Sequence, residues 1–177
     1  MKKIMALIAS IIMVAVFVTG CGTTAQITQK EVKLSSQLEA LEKGMENEGF
    51  IPKKDVTKTE MSPVKQEGTD GKTQEYGGYL TIGAVEGVRY SFKHNESDVN
   101  LELYRFDTKK LDETGKKTIS DVKSTGEMSI GKSDTKVKAY LSADEKYLMI
   151  YQDPSTEQKN QTKMNDAIKY FEGYKEK

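Results

Sequence analysis

The chain's 177 residues carry 27 Lys and Arg against 27 Asp and Glu, with one His, one Cys and no Trp. A single cysteine excludes an intrachain disulfide framework and cysteine-based zinc sites. The lack of a basic excess speaks against nucleic acid as a partner. With 36% hydrophobic and 31% charged residues, the composition is that of a polar domain long enough to bury its own core.

Residues 1–20 depart from that average. Lys2 and Lys3 precede an uncharged, mostly apolar run from Ile4 to Gly20. A basic start followed by a short apolar stretch is the layout of a secretory signal. The run is marginally short of the roughly 20 apolar residues that cross a bilayer, and length alone does not settle between signal and span. It ends in Val18-Thr19-Gly20-Cys21, where Cys21 is the chain's only cysteine.

That ending resembles the lipobox of bacterial lipoprotein precursors: an aliphatic residue, a small residue, Gly or Ala, then Cys. The resemblance covers residues 1–21 alone, with Val18 where Leu is commoner and Thr19 where Ser or Ala is commoner. It implies that Val18, Thr19 and Gly20 are read by a signal peptidase that cuts before Cys21. It further implies a diacylglyceryl thioether on Cys21 and a lipid-anchored, extracytoplasmic location at the cell membrane. Two acyl chains suffice for stable anchoring, because each buried CH₂ contributes about 0.8 kcal/mol. Cleavage would remove Lys2 and Lys3 and no acid, leaving a slightly acidic body that anionic headgroups do not attract by charge.

Residues 21–28 read as a short polar tether and 29–177 as one domain. Leu34, Leu38, Leu41 and Met45 recur at helical spacing over 29–47. Gly49 suits a helix C-terminus, and Pro52 blocks continuation. The segment 52–78 is loop-like, rich in Gly and Pro, with a short edge strand expected around Asp55–Met61. Tyr79–Val85 reads as a strand. It is followed by a turn at Glu86-Gly87, then strands at Val88–Lys93 and Val99–Phe106 flanking the polar turn His94–Asp98. In the second of these, Val99, Leu101 and Leu103 share one face and Tyr104 and Phe106 the other.

Residues 107–135 are polar, with Ile119, Val122 and Met128 as anchors for a short helix and an edge strand. Lys136–Leu141 and the continuous apolar run Tyr147–Tyr151 complete the sheet, the latter as its best central strand. Ser142–Lys146 suits the hairpin loop between them. Met164, Ala167, Ile168, Phe171 and Tyr174 form a closing amphipathic helix, with Asn160 or Thr162 as its N-cap. The expected fold class is α+β: a mainly antiparallel β-sheet with an N-terminal and a C-terminal helix packed on one face.

Motifs that carry chemistry are scarce. His94 is the only histidine, so any Ser–His system must use it; its Lys-His-Asn-Glu-Ser setting reads as a solvated turn. Gly78 and Gly83 are spaced as in a phosphate-binding loop but lack the Lys-Ser/Thr that follows; a bend or bulge in the sheet explains them better. Asn95, Glu96, Ser97, Asp98 and Asn100 are rich in oxygen but lack the spacing of a calcium loop. Only Arg89 and Arg105 are arginines, which weakens bidentate phosphate recognition. No catalytic residue, cofactor or metal is therefore expected.

The expected function is a non-catalytic, lipid-anchored binding or modulating module at the cell envelope, with a membrane-protein or peptide partner. The alternatives are a small envelope hydrolase using carboxylates and a solute-binding lipoprotein. The sheet face bearing Tyr104 and Phe106, with Tyr140 and Tyr151 expected nearby, discriminates: bare, it would bind a partner. The amphipathic helices need a docking face, which favours a covered one. A covered face directs attention to 52–78.

Overall fold

The computed structural model describes residues 33–67, 73–130 and 135–176, all within one compact unit, Glu31–Lys177. Its helices are α1 (Ser36–Asn47), α2 (Glu113–Thr125) and α3 (Gln158–Gly173). Its strands are β1 (Val56–Glu60), β2 (Val64–Glu67), β3 (Thr73–Tyr76), β4 (Glu86–His94) and β5 (Ser97–Arg105), then β6 (Glu127–Ser129), β7 (Lys136–Lys138), β8 (Tyr140–Leu141) and β9 (Tyr147–Gln152).

The main sheet has the order β1-β4-β5-β9-β8, with every pairing antiparallel. Its spine is the β4–β5 hairpin, which pairs Glu86 with Arg105 at one end and His94 with Ser97 at the other. The connecting Asn95-Glu96 has positive φ at both residues, as a two-residue type I′ turn requires.

Alternation along these strands builds two cores. Val99, Leu101 and Leu103 of β5 join Tyr147, Met149 and Tyr151 of β9 beneath Leu38, Leu41 and Met45 of α1 and Phe171 of α3. Tyr104 and Phe106 join Leu148 and Ile150 beneath Ile119 and Val122 of α2. The expected α+β architecture, with the first and last helices on one face, is the one observed. The unbroken apolar run of β9 is explained by burial on both faces. The strand is interior, although β5 holds the middle of the sheet.

Helix ends follow local chemistry. Ser35 caps α1 through its hydroxyl to the Leu38 N–H (3.3 Å). At the other end the Gly49 N–H bonds Glu46 O (3.0 Å) and the Phe50 N–H bonds Met45 O (2.8 Å). With Gly49 at φ 74°, this is a Schellman stop. Asp112 caps α2 by accepting the Gly115 N–H at 2.7 Å.

Four expectations need correction. Tyr79–Val85 is no strand: Gly78–Ile82 is a 3₁₀ helix between positive-φ Gly77, Gly78 and Gly83. Its three-residue turn brings Tyr79 and Ile82 to the same core, so Gly78 and Gly83 delimit a helical turn and do not bend the sheet. Secondly, 52–78 contains structure. Beyond the expected edge strand β1, Val64–Glu67 and Thr73–Tyr76 pair with each other as the separate β2–β3 sheet. Thirdly, Lys136–Leu141 is split at Ala139, whose N–H turns to Gly126 O (3.0 Å); β7 pairs with β6 and β8 with β9. Finally, neither Asn160 nor Thr162 caps α3; Glu157 occupies that position without a side-chain bond.

Candidate functional site

Val18, Thr19, Gly20 and Cys21 lie outside the described residues. Among the described residues, no helix is long and apolar enough to cross a membrane, and no cluster of three or more His, Cys, Asp or Glu could hold a metal ion.

Both arginines are committed inside the sheet. Arg89 lies across from Glu102 and reaches Oε1 with Nε (2.7 Å) and Nη2 (2.6 Å), while Tyr104 donates its hydroxyl to Oε2 at 2.6 Å. Burial and the Glu102 charge push the Tyr104 phenol well above its ordinary range. Arg105 lies across from Glu86 and reaches Oε2 with Nε at 3.0 Å. The same Glu86 carboxylate accepts the Ser35 N–H and hydroxyl, both at 2.6 Å. Guanidiniums so occupied hold strands together and are not free to grip a phosphate.

His94 lies in a polar latch at the opposite end of the hairpin. Asn160, fully buried in α3, donates to the His94 carbonyl (3.0 Å) and Asp153 Oδ2 (2.9 Å) and accepts from Asn95 Nδ2 at 3.1 Å. Asn95 also donates to His94 Nε2 at 2.9 Å. Ser97 donates its hydroxyl to Asp153 Oδ1. In a nucleophilic triad the serine would donate to the histidine; here it donates to the carboxylate, so this network ties the hairpin turn to α3. Of the oxygen-rich cluster, Asn95 and Ser97 join this latch. Asp98 pairs with Lys93 and Asn100 accepts from Ser91. Burial opposes the Asp153 charge, but bonds from Ser97, the Ser155 N–H and Asn160 prevail and hold its carboxyl below the usual range.

The aromatic sheet face is covered. Tyr104 and Phe106 lie under α2, while Tyr140 and Tyr151 belong to the opposite core. The covering helix differs from the two that sequence periodicity placed on the sheet, which occupy the other face.

A groove of about 730 Å³ runs between α2 and the Ser142–Lys146 loop, with Leu111 and Ile119 in its lining. The ion pair of Lys123 with Glu145 (2.8 Å) joins two of its lining residues. Asp144 also lines it. Burial opposes this carboxyl's charge, but the Ser142 hydroxyl and the Glu176 and Lys146 N–H groups hold it below its ordinary range. A general acid needs the opposite shift.

What remains is the β2–β3 hairpin. Val64 and Tyr76 are cross-strand partners and are 56% and 49% exposed. With Val85, at 41%, they are the large apolar side chains most exposed among the described residues. Beside that pair Lys65 meets Glu75 at 3.0 Å. The hairpin is fastened at its base: the Met61 N–H bonds Gly87 O and the Tyr79 N–H bonds Met61 O, both at 2.9 Å. Gly78 lies so close that a Cβ there would fall 2.3 Å from Met61 O. Burial, then the charges of Glu75, Glu60 and Glu86, raises the Tyr79 pKa. Sequence reasoning passed over this hairpin; Asp70-Gly71 between two short segments was the available signal.

No protein family, curated protein or solved structure matches the chain at a significant level.

Proposed function

We propose that this chain is a bacterial lipoprotein, anchored through Cys21 at the extracytoplasmic face of the cell membrane, and that its body is a non-catalytic binding or modulating module at the envelope. The observation that carries the reading is the exposed Val64–Tyr76 pair on a hairpin outside the main sheet. A partner contact would use this pair, because among the described residues Tyr104, Phe106, Tyr147 and Tyr151 are all buried in the two cores.

The commitment of Arg89, Arg105 and His94 to structural bonds agrees with this. So does the packing of all the described residues into one compact unit, among which there is no second lobe to close over a solute. Mass spectrometry of the mature protein tests the anchor: cleavage before Cys21 and a diacylglyceryl adduct are expected, and an intact Met1 with unmodified Cys21 would refute it. Photocrosslinking from position 76 in intact cells tests the module; adducts no more abundant than from an exposed position on α2 would count against it.

A further inference from the structure

We infer that the end of the sheet carrying Val64, Tyr76 and Val85 rests on the lipid–water interface of the membrane that holds Cys21, with these three side chains at headgroup depth. The inference rests on the lipoprotein reading above and names the partner of the hairpin as the lipid surface itself.

The argument is one of placement. The chain enters the described domain at Lys33 and is pinned two residues later, where Ser35 gives its N–H and hydroxyl to Glu86 at 2.6 Å each. Glu86 begins β4, and Val85, its neighbour, donates its N–H to Arg105 O at 2.9 Å. The hairpin base is fastened to Gly87 through Met61, one residue further along the same strand. The tether's arrival point, Val85 and the root of the Val64–Tyr76 hairpin therefore share one end of the sheet. The opposite end is the latch of His94, Asn95, Asp153 and Asn160, polar throughout.

Chain length sets the rest. Cys21 to Lys33 spans at most about 40 Å at roughly 3.5 Å per residue, and any slack brings the end closer to the bilayer. Three half-exposed apolar side chains, placed where a lipid tether arrives, meet headgroups before any other partner. Tyr suits that depth because its ring is apolar and its hydroxyl stays wet. The neighbouring Lys65–Glu75 pair is neutral in sum, so attachment does not depend on anionic lipid.

The absence of tryptophan makes the test direct. Tyr76→Trp, Val85→Trp and, at the far end, Asp98→Trp each give the full lipidated protein a single indole. Each is reconstituted in vesicles of phosphatidylglycerol and phosphatidylcholine, with and without bromine-substituted acyl chains. The Tyr76→Trp and Val85→Trp indoles are expected to shift to the blue and lose roughly half their emission to brominated lipid, as befits side chains about 5–10 Å into the headgroup boundary. The Asp98→Trp indole is expected to be unaffected.

The mass of the Cys21 peptide is read from the same samples. Unmodified Cys21 overturns the lipoprotein reading and this inference together. Lipidated Cys21 with unquenched Tyr76→Trp and Val85→Trp indoles overturns this inference alone. So does an indole that responds to added membrane protein and not to lipid.

Discussion

Removing the Asn160 side chain is the sharpest test of how the two ends of the sheet differ. Asn160 is fully buried, and its amide makes three bonds: to the His94 carbonyl, to Asp153, and from Asn95. Two neutral bonds contribute about 1 kcal/mol each and the bond to an ionised carboxylate about 1.5–3 kcal/mol. Asp153 keeps its bonds from Ser97 and Ser155, and Asn95 regains water, so the sum is discounted. Asn160→Ala should cost about 2–4 kcal/mol. Urea unfolding followed by far-UV circular dichroism measures it, with an unchanged slope confirming that the denatured state is not the cause. Asn160→Asp supplies a second arm. It faces Asp153 with a like charge and should destabilise more at neutral pH than in acid. A loss below about 0.5 kcal/mol for Asn160→Ala, the scatter of a surface substitution, would show that the hairpin turn is held to α3 by apolar packing alone.

Three further changes follow from the same structure. The Tyr151 hydroxyl is buried without a hydrogen-bond partner, and burial with the nearby Asp153 charge pushes its pKa up to about 12; Tyr151→Phe should raise stability by about 1 kcal/mol, read as a higher urea midpoint. Gly83 has φ 72°, and a Cβ there would fall 2.1 Å from the Gly115 nitrogen, so Gly83→Ala should cost about 2–4 kcal/mol from left-handed strain and overpacking. Acid should destabilise in two stages. Burial and the charges of Lys163 and Lys159 hold His94 below 6.5 against the opposing pull of Asp153. The unfolded chain therefore binds its proton first, and stability declines as pH falls below that value. Asp153, held below 3.8 when folded, contributes stability above that value that is lost as pH falls through its lowered folded pKa. Melting temperature against pH should show both stages, and His94→Gln should remove only the upper one.

Much of the fold was legible because burial on one or two faces writes itself as period. Leu38, Leu41 and Met45 mark the buried stripe of α1, and Val99, Leu101 and Leu103 the α1-facing side of β5. Ile119, Val122 and Met128 stand out from a polar stretch as the anchors of α2 and β6. The failures have equally physical sources. Tyr79–Val85 carries strand-like residues, but positive φ at Gly77, Gly78 and Gly83 decides its path, and that is a property of tertiary fit. Asn160 looked like a helix cap because caps are local. Its burial is set by residues 66 positions away, at the His94 carbonyl. Val64 and Tyr76 resemble core residues by type, and only the separate pairing of β2 with β3 shows them left in water.

A contact surface of three half-exposed side chains is too small to hold a free protein on a membrane or on a partner. Tethering changes what is required of it. A short tether raises the effective concentration of what it carries to the order of millimolar, so a surface with millimolar affinity, about −4.1 kcal/mol, would already be half occupied. The lipid on Cys21 would then supply residence and Val64, Tyr76 and Val85 orientation. The bonds from Ser35 to Glu86 would join the two, because they fix the start of the described chain to the beginning of β4, next to Val85. Glu86 is shared between that pin and Arg105. Loss of its carboxylate would remove the bonds to Ser35 and, on the proposed anchoring, loosen the link from tether to surface, while Leu34 and Leu38 keep α1 packed on the core.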